Sequence, residues 1–198
     1  MPILKSRYIL LLAAAVFASG CGKQERLEAV RLSEVLKNNQ ADFAAANSVE
    51  KDFVGNARAW SGDIIANGAG RGVQLDQNGM VAAELAKSAV AISAHLGKVR
   101  QAVYDISLRE EYPQGIRDAL ITELARRQKQ MQDVRAMLEK SVPAFVEYRH
   151  STTYVGDTYP GGVAELGTLL QAYKAPEDAV GTALAGLKTK YKITAAEL

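Results

Sequence analysis

The sequence predicts an all-α protein: an antiparallel four-helix bundle with long helices and a split fourth helix. Three observations lead there. Alanine is abundant, aromatic residues make up only 7% of the chain, and β-branched runs are sparse, a composition that favours helix. Apolar residues recur at steps of three and four over long stretches. No segment alternates apolar and polar residues beyond a few positions, and no repeat of about 20–50 residues suggests a solenoid.

The first predicted helix runs from Gln24 to Ala66, with Leu27, Val30, Val35, Leu36, Phe43, Phe53, Ala57, Trp60 and Ile64 as its apolar positions. The set 53-57-60-64 lines one helix face, and polar Asn38-Asn39-Gln40 is where the helix would bend or break. The stretch 67–79 carries four glycines, which marks a loop. Asp76 or Asn78 could then cap the second helix. That helix is predicted from Met80 to Leu108, with the near-heptad seam Val81, Leu85, Ser88, Ile92, Leu96, Val99, Val103 and Ile106. It would be roughly 43 Å long. Pro113 ends it, because the residue before proline is pushed out of the helical region.

The third helix is predicted from Gln114 to Tyr148, with Leu120, Leu124, Met131, Val134, Leu138, Val142 and Phe145 as its seam. Glu123 and Arg127 stand four apart in the order that favours a surface ion pair. Pro143 should kink or split the helix near its end. After an irregular stretch from Arg149 to Gly162, the split fourth helix comprises Val163–Tyr173 and a segment opened by Pro176, which carries Val180, Leu184, Leu187 and Tyr191. Thr194 to Glu197 has the spacing of a capping box with almost no helix behind it, and reads as a frayed end.

The N-terminus carries a different signal. Lys5 and Arg7 precede eleven apolar residues from Tyr8 to Ala18, then Ser19, Gly20 and Cys21, the only cysteine of the chain. A positive start, a short apolar core and small residues before a cleavage point describe a signal peptide, too short to span a bilayer. The tetrad Ala18-Ser19-Gly20-Cys21 resembles the lipobox of bacterial lipoproteins, although leucine is commoner where Ala18 stands. The resemblance covers about the first tenth of the chain. It implies that residues 1–20 are removed and Cys21 is lipidated, so that the protein is held in the cell envelope by its acyl chains, since stable anchoring needs more than one. Gly22 at the following position, where aspartate tends to retain such proteins at the inner membrane, implies the outer membrane facing the periplasm. The domain organisation is then a cleaved 1–20 and a helical-bundle domain over 21–198.

Charge narrows the functional classes. The chain has 24 Lys and Arg against 22 Asp and Glu. Loss of Lys5 and Arg7 brings the mature domain to neutrality, so no electrostatic case remains for nucleic acid or for broad attachment to anionic lipid. With Cys21 committed to lipid, no disulfide can form within the chain, and its core alone must hold it in an oxidising compartment.

No constellation of residues points to catalysis, and no cofactor or metal is expected. A di-iron bundle needs a Glu-x-x-His pair on each of two helices. Glu147 and His150 match once, whereas Ile92 precedes His95. Neither Gly-x-Ser-x-Gly nor Cys-x-x-Cys-His occurs. The glycine run 68–72 lacks the strand and the Gly-Lys-Ser/Thr of a phosphate cradle. Mixed charges from Arg117 to Lys140 read as a solvated face. The candidate binding loop holds Tyr148, His150, Tyr154, Asp157 and Tyr159, because tyrosines offer broad contact area with a polar tip. The alternative is that these tyrosines pack over the end of the bundle.

The expected function is therefore a membrane-anchored, non-enzymatic binding or scaffold module for another envelope protein or the cell wall, with self-association through the heptad seams as a further option. A small-molecule or cofactor carrier is the competing class. It would need polar groups pointing into the core, and the seams read as nearly all apolar, with Ser88 the clearest exception. An envelope hydrolase is the third class.

Overall fold

Regular helix begins with the first described residue and accounts for most of the chain. The structure is a computed structural model that describes residues 22–151, 159, 161–174 and 177–198. Within these it is all-helical: α1 (22–38), α2 (Gln40–Asn67), α3 (Val73–Tyr104), α4 (Glu111–His150), α5 (Gly161–Gln171), α6 (Ala179–Tyr191) and a closing 3₁₀ turn, Ala195–Glu197. No helix among the described residues is long and apolar enough to cross a membrane.

Several predicted boundaries move. The first predicted helix is two, divided by a turn at Asn39, whose amide side chain donates to the Val35 carbonyl at 2.9 Å. That bond offers the backbone an alternative to its own ladder. α3 starts at Val73 rather than Met80, and takes in most of the predicted loop. Its first turns are held by tertiary contacts: Leu75 is buried, and the Asn78 side chain accepts from Trp60 Nε1 and donates to the Ala69 carbonyl. Asn78 is thus a mid-turn bridge and not a cap. α4 continues through Pro143 to His150, because one missing donor does not outweigh the burial of Ser141 and Phe145 on either side.

The glycine run is an ordered turn. Gly68, Gly70 and Gly72 all have positive φ, and the Gly68 amide donates to the Ile64 carbonyl at 2.9 Å, closing the end of α2. Ala69 between them is fully buried.

Two compact units divide the chain. The first comprises residues 22–40, Gln101–Thr122 and Ala179–Leu198. Its buried residues include Ala29, Leu32 and Leu36 of α1 and Val180, Leu184 and Leu187 of α6. The Glu28 carboxylate accepts from the Arg109 and Glu110 amides at 2.8 Å each. These are orphan donors just ahead of α4, and an acid there also suits the helix dipole. Burial pushes the Glu28 carboxyl up, but these amides more than offset it and hold it below its usual value. The C-terminal turn is tied down rather than frayed. Glu197 accepts from the Thr194 amide at 2.9 Å and from Arg26 of α1 at 2.6 Å, and Arg26 also donates to the Tyr191 carbonyl.

The second unit comprises Ala41–Arg100 and Glu123–Asp178. Here α3 and α4 run in opposite directions: Asp76 pairs with Arg149 at 3.4 Å, while Gly97 faces Gln128. α5 lies on α4 through Lys140–Glu165 at 2.9 Å and through Gly162, where a Cβ would stand 2.7 Å from Ser141 Oγ. Only glycine permits that approach. The Arg58 guanidinium of α2 donates to the Leu170 and Tyr173 carbonyls at 2.6–2.9 Å, satisfying the C-terminal end of α5 with a cation.

Candidate functional site

The predicted binding loop is described only in part. Tyr148 lies in the last turn of α4, half-buried, and its hydroxyl donates to the Tyr159 carbonyl at 3.4 Å. His150 ends α4 and is exposed, next to Arg149 with its Asp76 partner. The structure therefore brings Tyr148 and Tyr159 together at this end of α4. Tyr154, Asp157 and Cys21 lie outside the described residues.

The most unusual chemistry in the second unit was not foreseen. The α2 seam reads Phe43, Ala46, Glu50, Phe53, Ala57, Ile64, with an acid in an apolar row. The α4 seam has a gap between Leu124 and Met131, and Arg127 fills it. The two side chains meet in the core, 0% and 1% exposed, as a bidentate ion pair in which Arg127 Nε reaches Glu50 Oε1 at 3.3 Å and Nη2 bonds Oε2. Nη2 also donates to Asn47 Oδ1 at 2.7 Å, and the guanidinium lies 5.0 Å over the Phe43 ring. Nη1 is buried and has no hydrogen-bond partner among the described residues. Desolvation pushes the Glu50 carboxyl up, against the pull of Arg127.

This overturns two expectations. The Glu123–Arg127 surface pair does not form: Glu123 binds Arg126 instead, at 2.8 Å, and Arg127 turns inward. Nor are the seams nearly all apolar, since Glu28, Ser33, Glu50, Ser61, Arg127 and Ser141 are all buried, while Ser88 is only half-buried. The spacing held the signal for this: Glu50 and Arg127 both fall on their seams' own three–four steps.

The first unit offers an open cleft of about 630 Å³, lined by Tyr112, Ile116 and Ala119 and bounded by Glu25 and Lys190. Lys190 Nζ sits 3.2 Å over the Tyr112 ring, and the Tyr191 hydroxyl donates to Glu25 at 2.6 Å. Burial and this bond push the Tyr191 hydroxyl up, so it stays protonated. The cleft thus has an apolar floor with two acids, Glu25 and Glu111, and one base, Lys190, in its lining. A cleft of about 430 Å³ in the second unit is lined by Glu123, Arg126, Gln130, Lys174 and Glu177, again of mixed sign. Among the described residues no group of three or more His, Cys, Asp and Glu converges as a metal site would require. No family model, curated protein or solved structure matches this chain.

Proposed function

We propose that this protein is a lipid-anchored component of the bacterial cell envelope, held through Cys21, whose helical body acts as a non-catalytic binding or scaffold module. The observation that carries this reading is the order of residues 1–21, where the only cysteine follows a positive start, a short apolar core and small residues. The location follows from the same residues, with Gly22 favouring the outer membrane and a periplasmic domain.

The proposed framework is an antiparallel four-helix bundle. Opposed numbering in the α3–α4 contacts supports it, as does Arg58 of α2 reaching the far end of α5. The body meets an envelope protein or the cell wall, with Tyr148, His150, Tyr154, Asp157 and Tyr159 as the proposed contact loop.

Metabolic labelling with an alkynyl fatty acid tests the anchor. The wild-type chain should take up label and partition into a detergent phase, and Cys21→Ser should do neither. Equal labelling of the two would remove the anchor from the proposal. The loop is tested by Tyr154→Ala with Tyr159→Ala, which should leave the far-ultraviolet helix signal intact while abolishing crosslinks to the partner in intact cells. Loss of the helix signal would instead assign the tyrosines to packing.

A cofactor carrier is the second reading, since Glu50 and Arg127 are the inward polar groups it requires. They neutralise one another, however, and line neither cleft described above. Metal analysis and an absorbance spectrum of the protein purified from its host separate the two readings.

A further inference from the structure

Three exposed apolar side chains of the second unit, Met80, Val90 and Val146, lie along the junction of α3 and α4. Two adjoining clefts of about 360 and 320 Å³ share Ala83 and Val142 and so form one groove. Its sides carry Met80 and Val146, 62% and 57% exposed, with Val90 towards the other end. Positions 76, 80, 83, 87 and 90 of α3 step by four, three, four and three, the spacing with which a helix presents a seam to another helix. The α3 row of Leu85, Ile92, Leu96, Val99 and Val103 is buried in this chain's own core, whereas Val81 ahead of it is exposed. The row at 76, 80, 83, 87 and 90 faces outward.

The charges around the groove say what it fits. At one end stand Asp76 of α3 and Arg149 of α4. At the other end stand Lys87 of α3 and Glu139 of α4. Each helix thus carries one acid and one base, in opposite order. Rotating a copy about a two-fold along the groove lays α3 over α4, which sets Asp76 against Arg149 and Lys87 against Glu139. Rotating it about a two-fold across the groove lays α3 over α3 reversed, which sets Asp76 against Lys87 and Glu139 against Arg149. Either rotation places acid on base. An isologous interface demands self-complementarity of this kind. Among the described residues Lys87 and Glu139 pair with exposed partners in their own helices, Glu84 and Arg135, and such pairs are easily exchanged.

We infer that the α3–α4 groove is the interface of a homodimer, its occupant the same groove of a second copy. Met80 and Val146 of each copy cover the small floor around Ala83 of the other, and the four charges fix the alignment. This inference does not depend on the lipid anchor.

The full chain carrying the photocrosslinker p-benzoyl-phenylalanine at Met80 or Val146 tests it in intact cells. Irradiation should give a species of twice the chain mass whose joined peptides both come from this protein. The same probe at Lys51, exposed on α2, should give none. No dimer-sized species, or a joined peptide from another protein, overturns the proposal. Met80→Asp with Val146→Asp should lower the crosslink yield from a probe at Val90 by about tenfold, because each copy would bury unpaired charge, with the far-ultraviolet helix signal unchanged. Lys87→Glu should weaken the crosslink too. Lys87→Glu with Glu139→Lys should restore it for a two-fold along the groove, and Lys87→Glu with Asp76→Lys for one across it. If neither double variant restores it, the charge pairing is refuted and the interface with it.

Discussion

Replacing Arg127 by methionine keeps much of the side-chain volume but removes the cation from the core. Glu50 is 0% exposed and would be left without its counter-ion. Breaking a buried pair in this way costs about 3–5 kcal/mol. Glu50 can avoid part of that cost by binding a proton. Its carboxyl already lies above the ordinary 4.5 because of burial, and loss of the guanidinium raises it further. Above the unfolded value the folded state then holds one proton more than the unfolded state, so stability falls by about 1.4 kcal/mol per pH unit as pH rises. A total penalty of about 3–5 kcal/mol therefore spreads over roughly two to four units upward from pH 4.5. Urea unfolding followed by circular dichroism at pH 5 and pH 8 should show Arg127→Met close to wild type at the lower pH. At the higher pH it should fall short by several kcal/mol, a melting point lower by about 6–20 °C. Replacing both residues, Glu50→Leu with Arg127→Met, removes the buried charges and the unpartnered Nη1 together. That double variant should match wild type or exceed it by about 1–4 kcal/mol. A loss below about 1 kcal/mol for the single variant at pH 8, or an equal loss at both pH values, would refute the account of a sealed ion pair.

Glu28→Ala should cost about 1–3 kcal/mol in chemical denaturation, because the Arg109 and Glu110 amides lose their shared acceptor; Glu28→Gln keeps an acceptor and should cost less. The Glu197 carboxyl is held down to about 2, first by the Thr194 amide and then by Arg26. Its contribution is complete above pH 4.5 and is lost as pH falls towards 2, so carbon-13 titration of that carboxyl should show a midpoint near 2, and a midpoint near 4.5 would contradict the Arg26 contact. Gly70→Ala and Gly72→Ala should each destabilise by about 1–2 kcal/mol, because both positions have positive φ. The Gln74 side chain that a Cβ at position 70 would meet is exposed and can swing aside, and position 72 is open, so the two losses should be similar. Thermal melts of the two variants check this.

Local chemistry made the helices legible. The rows 92-96-99-103 and 131-134-138-145 are buried as their spacing requires, since a helix can hide only the side chains that share one face. The division near Asn39 was visible as a polar interruption. The candidate loop was legible only as a cluster of tyrosines, and of its members the structure joins Tyr148 to Tyr159.

The start of α3 was not legible, because glycine disfavours helix locally and the contacts of Asn78 with Trp60 and Ala69 that hold it come from elsewhere in the chain. The inward turn of Arg127 escaped for the same reason. A glutamate four residues away is the partner a lone helix offers, whereas the one it takes lies 77 positions earlier in the chain. From its own residues the chain specifies helix and seam, both set by neighbours within a turn or a short run. Tertiary structure alone decides which charges are stripped of water and whom they then meet. A charge follows the partner that offsets its desolvation best, and distance along the chain has no part in that choice.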